Sequence, residues 1–239
     1  MRDVTLGAIF LAACLAGAPS FVAANERQQF TATAHDLKTG RVLFIENYDV
    51  EVDDGRWKSG TTRYTSPDGK TIAERKFAFA RDRYVPVYAF DQTSYDYKEG
   101  ITRIDGQQID VYNARDGNRE TATLQRIGTM VGDCGSQPYL IDHLPALDRG
   151  ETIHFILVVA GRTDSYKLRA RKVEDQTVNG RRVLHVRIEL DSMLRLILPT
   201  LELKIDPETK RLLEYSGIAN VKDPATKKSY SARIVFAYR

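Results

Sequence analysis

Apolar and polar residues alternate one for one along much of this chain, the period of a strand with one buried face. The clearest run is 182–191. There Leu184, Val186, Ile188 and Leu190 share one face, and His185, Arg187, Glu189 and Asp191 share the other. Leu201, Leu203 and Ile205 repeat the pattern, with Glu202 and Lys204 between them. Near the C-terminus Tyr230, Ala232, Ile234, Phe236 and Tyr238 fall together, and over 41–52 so do Val42, Phe44, Tyr48, Val50 and Val52. Residues 58–65 and 70–80 flank Ser66-Pro67-Asp68-Gly69 as the arms of a hairpin. Asp54-Gly55, Asp105-Gly106, Asp116-Gly117, Asn179-Gly180, Asp206-Pro207 and Asp223-Pro224 punctuate the runs. Glycine supplies positive φ at such points, aspartate caps the turn, and proline presets φ.

The Asn179-Gly180 turn carries a constraint. A strict two-residue loop carried through the whole hairpin sets Arg171 opposite Ile188, a charge against a core residue on one face. A longer loop or a bulge is therefore expected there, rather than a simple type I′ hairpin.

Two stretches depart from the alternation. Residues 153–160 are apolar on both faces, so that strand needs cover on both sides. Residues 138–144 carry apolar positions at helical spacing and supply the expected cover, with Pro145 ending or kinking the helix. The second stretch, 193–200, fits a strand or a loop lip equally. No internal repeat, linker or shift in composition interrupts the chain. The expected fold is mainly β: an antiparallel curved sheet, a half-barrel or incomplete barrel, with one short helix around 138–147. Residues 25–239 are read as a single β-rich domain.

The first 24 residues stand apart. Arg2 precedes an apolar run from Leu6 to Ala18, and Val22-Ala23-Ala24 gives way abruptly to Asn25-Glu26-Arg27. This is the layout of a secretory signal peptide with cleavage after Ala24, and it implies export to the periplasm. The run is shorter than the roughly 20 residues that span a bilayer as a helix. A minority alternative uses Leu11-Ala12-Ala13-Cys14 as a lipoprotein processing box, leaving a lipid on Cys14.

Composition narrows the function classes. Charged residues make up 28% and hydrophobic residues 42%, a globular balance rather than a disordered one. The net charge of +3 comes without a dense basic block, so nucleic acid is not an expected partner. After cleavage at Ala24 only Cys134 remains, and one thiol forms no internal disulfide. Four scattered histidines lack zinc-ligand spacing, so neither a metal nor another cofactor is expected.

The familiar signatures of nucleotide, zinc-protease and serine-hydrolase chemistry are missing. Cys134, with His143 downstream, reads better as a small buried hydrophobe beside a turn than as a nucleophile and its base. Asp53 and Asp54 are adjacent on a strand, point to opposite faces and read as turn residues. No catalytic residue is assigned, and an enzymatic role is left open on the side of none. Lys167, Arg169 and Arg171 share one strand face and form the best basic patch, suited to anionic lipid headgroups or acidic envelope polymers, or else a solvated face whose charge protects the sheet edge. Trp57, Tyr84, Tyr88, Phe90, Tyr95, Tyr97 and Tyr112 crowd the N-terminal half, as the lining of an apolar pocket or as plain core.

Three segments carry a resemblance: Tyr64-Thr65-Ser66-Pro67-Asp68-Gly69-Lys70-Thr71-Ile72-Ala73-Glu74-Arg75-Lys76, then Tyr95-Asp96-Tyr97-Lys98-Glu99-Gly100, then Gly217-Ile218-Ala219-Asn220-Val221. In that order they resemble a group of uncharacterised bacterial periplasmic proteins. The succession of hairpins with one interposed helix is similar to the half-barrels of the LolA and LppX type of lipoprotein carrier. That second similarity is architectural and carries no residue across.

A curved sheet with a helix has one concave apolar face, either filled or open to a ligand. The first expectation is a periplasmic protein that binds or carries a lipid or other apolar molecule. Trp57, Tyr88, Phe90, Phe155 and Leu196 would line its site, Lys167, Arg169 and Arg171 would meet an anionic headgroup, and membrane contact would be peripheral at most. The alternative is a cell-envelope structural or interaction protein, with an envelope protein for a partner and no small ligand.

Overall fold

The computed structural model describes residues 26–192 and 200–238. The expected signal segment, Cys14 and Leu196 lie outside the described residues. Fifteen strands follow one another: β1 (Glu26–Asp36), β2 (Val42–Asp53), β3 (Arg56–Thr65), β4 (Thr71–Ala78), β5 (Val87–Gln92), β6 (Tyr97–Asp105), β7 (Gln108–Arg115), β8 (Asn118–Gln125), β9 (Met130–Gly132), β10 (Ile153–Val159), β11 (Asp164–Val178), β12 (Arg181–Leu190), β13 (Leu201–Asp206), β14 (Arg211–Lys222) and β15 (Ser229–Tyr238). They build one curved, unclosed sheet in the order β8-β7-β6-β5-β4-β3-β2-β1-β15-β14-β13-β12-β11-β10-β9. The pairings are antiparallel, with the single exception of short β9 on β10. The first strand sits mid-sheet, hydrogen-bonded to β2 on one side and to the last strand on the other. The curved antiparallel sheet expected from the alternation is thus the fold that forms.

Strand parity decides what goes inside. In β2 the buried positions are Phe44, Glu46, Tyr48, Val50 and Val52, and in β12 they include Leu184, Val186 and Ile188. The Asp54-Gly55, Asp116-Gly117 and Asn179-Gly180 loops each hold two residues at positive φ, the type I′ signature whose twist matches that of the strands. At Asn179-Gly180 the expected bulge forms, but the longer loop does not, because the bulge sits further along the hairpin and leaves the turn tight. The turn is a tight two-residue one, pairing Val178 with Arg181. Further along, the register shifts between Lys172 and Glu174, with Val173 as the extra residue. The bulge brings Ala170 opposite Ile188 and sets Arg171 against Arg187 on the outer face.

The helix expected over 138–147 is two: α1 (Ser136–Asp142) and α2 (Leu144–Asp148), hinged at His143. Pro145 sits in the first turn of α2, where its missing N–H costs no intrahelical hydrogen bond. Tyr139, Leu140, Leu144 and Leu147 pack in one cluster with Ile153 and Phe155 of β10. The opposite parity of β10 turns Ile156 and Val158 toward a second cluster, built largely from β1–β7 and β14–β15. The strand that is apolar on both faces therefore stands between two hydrophobic cores, as its pattern requires. Beyond β10 the 3-10 turn Ala160–Arg162 contacts β6 and β7, so one end of the sheet folds against the other. Among the described residues, no helix is long and apolar enough to cross a membrane.

Candidate functional site

Between the two cores lies a cavity of about 430 Å³. Its apolar wall comes from Phe155 and Leu168 in the C-terminal half of the sheet, Leu203 and Ile205 of β13, and Ala219 and Ile234 of the last two strands. Leu140 of α1 adds a contribution from the helices. Exposed Ile218 also lines it, so the cavity reaches the surface there. This volume falls in the range of ligand pockets, roughly 300–1,000 Å³.

The opposite wall is polar. Arg75 is 5% exposed, and its Nη1 donates to both carboxylate oxygens of Asp133, at 3.2 and 3.1 Å. Its Nη2 donates to the Thr62 hydroxyl at 3.1 Å, while Nε is buried with no hydrogen-bond partner among the described residues. Asp133 also accepts from Asn220 Nδ2 at 3.2 Å. Burial works against the Arg75 charge as the largest single effect, but Asp133 together with Tyr64, Cys134 and Tyr48 outweighs it and raises the guanidinium above its ordinary value. Glu46 is buried and accepts from the Tyr48 hydroxyl. Glu99 accepts from Tyr88 at 3.1 Å and from Tyr97. Desolvation raises both glutamates above the ordinary carboxyl value; the tyrosine hydrogen bonds oppose the shift in part. Burial also pushes the Cys134 thiol, on the same wall, well up and away from the thiolate a nucleophile needs.

Of the residues singled out in the sequence, the fold brings Trp57, Tyr88 and Phe155 to this one cavity. Phe90 is buried one inward position beyond Tyr88 on β5 and packs edge-on to Tyr64 at 5.5 Å, within the core. Lys167, Arg169 and Arg171 lie on the outer face of β11, since Leu168 between them lines the cavity. Arg169 Nε donates to Glu189 at 2.8 Å, Arg171 reaches the same carboxylate at 3.8 Å, and Lys167 is exposed.

The polar wall is what reading the sequence missed, and a signal for it exists. Glu46 stands between Phe44 and Tyr48 on the inward parity of β2. Arg75 stands likewise between Ala73 and Phe77, and Glu99 between Tyr97 and Ile101. A charge at an inward position of an otherwise alternating strand marks a buried polar site. Asp133 and Asn220 carry no such mark, because only the fold brings them to Arg75.

No family model and no curated protein matches the chain. Among solved structures, a β-barrel-like protein of the domain of unknown function DUF1849 from Brucella abortus is similar in fold. It has a TM-score of 0.51 and 11% identity, over 89% of this chain and 95% of that one. A domain from Vibrio parahaemolyticus named for outer membrane lipoprotein sorting aligns over 88% of this chain and 82% of its own. Its identity is 10% and its TM-score 0.27. The first is a likeness of fold; the second is too slight to support any inference.

Proposed function

We propose that this protein binds or carries a lipid or other apolar small molecule in the cavity between its two cores. The observation that carries the reading is the cavity itself, of about 430 Å³, with an apolar wall drawn from β10–β15 and α1. Packed interiors keep few voids larger than a water molecule, so a largely apolar cavity of this size suits a small-molecule site. Trp57, Tyr88 and Phe155 are among its aromatic contacts. The layout of residues 1–24 supports export to the periplasm with 25–239 as one folded domain, and exposed Lys167 supports peripheral contact with an anionic membrane surface. The mass of the exported product checks the processing: a start at Asn25 supports cleavage after Ala24, and a lipid-bearing Cys14 replaces it.

The test of binding is uptake. Native mass spectrometry of the gently extracted protein is expected to show a lipid adduct. The neutral apolar dye N-phenyl-1-naphthylamine is expected to fluoresce on binding the delipidated protein. Ala219→Phe projects a ring into the cavity from buried Ala219 and is expected to weaken dye uptake about tenfold or more, with the circular dichroism spectrum preserved. An adduct-free mass together with no dye uptake would reject the reading, and the envelope interaction protein would take its place.

A further inference from the structure

Among the described residues, those lining the cavity include three carboxylates, Glu46, Glu99 and Asp133, and one cation, Arg75. That cation is already engaged: Asp133 takes its Nη1 with both oxygens, and Thr62 takes Nη2. Glu46 and Glu99 each lie close enough to Asp133 to feel its charge. An incoming carboxylate or phosphate would therefore meet carboxylates around a guanidinium that is already neutralised. A group that donates hydrogen bonds would meet the opposite environment, carboxyl oxygens held in fixed positions by Tyr48, Tyr88 and Tyr97. Arg75 itself is nine-tenths buried on this wall and its Nε has almost no accessible surface, so the carboxyl oxygens set what the head group meets. Hydroxyl and amine groups donate hydrogen bonds, the amine also when charged. The rest of the wall is apolar and suits an alkyl body.

We infer that the polar wall of the cavity selects apolar molecules ending in a hydrogen-bond-donating, non-anionic head, an alcohol or an amine, and discriminates against free carboxylates. The inference rests on the proposed binding function and deepens it, naming the head group that the cavity accepts. The physical cause is the cost of burying an anion without a counter-charge. Occupancy is thus set by chemistry at one wall and by chain volume at the other.

The experiment displaces N-phenyl-1-naphthylamine from the full-length, delipidated protein with decanol, decylamine and decanoate, all below their aggregation concentrations at pH 7.5. Decanol and decylamine are expected to compete at least about tenfold more strongly than decanoate. Glu46→Gln removes one carboxylate while keeping an acceptor for Tyr48, and is expected to narrow that gap by strengthening decanoate. Glu99→Gln serves as the second variant should the first not fold, with the same expected result. Decanoate competing as well as decanol or decylamine overturns the head-group selection while leaving the binding function standing. Dye that binds in the wild type with no change in the decanoate gap in either folded variant also overturns it. No dye uptake by the wild-type protein removes both the selection and the function on which it rests.

Discussion

At the scale of single residues, the buried carboxyls set the terms. Burial raises Glu46 above its ordinary value near 4.5, with the Tyr48 hydrogen bond and Arg75 opposing. A carboxyl raised in the folded state costs nothing while both states are protonated. As pH climbs past the ordinary value the unfolded chain ionises first, so this group's contribution to stability falls until the folded form ionises too. The stability of Glu46→Gln relative to wild type is therefore expected to grow from pH 4.5 upward, by about 1.4 kcal/mol for each unit of upward shift. Urea midpoints at pH 4.5, 6 and 8 measure this, and a flat difference would place the Glu46 carboxyl in a solvated setting. Carboxylates such as Asp148, lowered mainly by the Arg182 hydrogen bond, act in the opposite sense, losing their stabilisation as pH falls. They cancel in the comparison. Asp133→Asn leaves Arg75 charged, buried and without its counter-ion, and is expected to cost ~3–5 kcal/mol. A loss below about 1 kcal/mol in denaturant titration would mean water reaches the pair.

At the scale of elements, close approach and turn geometry do most of the specifying. Gly135, at the start of α1, sits where a Cβ would come within 1.8 Å of the Tyr84 carbonyl oxygen. That oxygen is backbone and cannot swing aside, so Gly135→Ala is expected to destabilise by ~1–3 kcal/mol or more and to loosen the start of α1 from the segment at Tyr84 that leads into β5. Gly40 is the comparison: its φ is +72° with open space around it, so Gly40→Ala carries only the left-handed backbone cost, about 1–2 kcal/mol. Thermal unfolding of the two variants separates crowding from backbone strain. The Val173 bulge shows how an element reconciles competing demands. Asn179-Gly180 demands a tight turn and Ile188 demands an apolar neighbour, and one unpaired residue satisfies both.

At the scale of the whole molecule, a sheet that curls without closing leaves two clusters of apolar side chains rather than one, and the cavity is the space where they fail to meet. Tyr215 and Phe236 pack against both clusters and line the cavity between them. A bound molecule would bridge the cores and stabilise the fold by mass action. At one hundred times its dissociation constant, a competing alcohol or amine is expected to add about 2.7 kcal/mol to unfolding, read as a rise in Tm. Ala219→Phe, with binding about tenfold weaker, is expected to cut that rise to about half or less at the same ligand concentration. A rise of the same size in the variant would place the ligand elsewhere.

The sequence by itself determined the class of fold, the sites of its turns and the side each strand residue faces. Those follow from a period of two and from local backbone chemistry, which neighbouring residues alone enforce. It also held, unread, the inward charges of Glu46, Arg75 and Glu99, which break the alternation in strands otherwise apolar within. Only the tertiary structure decided that Asp133 and Asn220, 58 and 145 positions after Arg75, complete its surroundings. It alone decided that Trp57, Tyr88 and Phe155 share a cavity while Phe90 fills core. The reason is physical. Parity fixes which face a residue takes, but the curvature of the sheet and the fold-back of its end fix which distant faces meet, and neither is a property of adjacent residues.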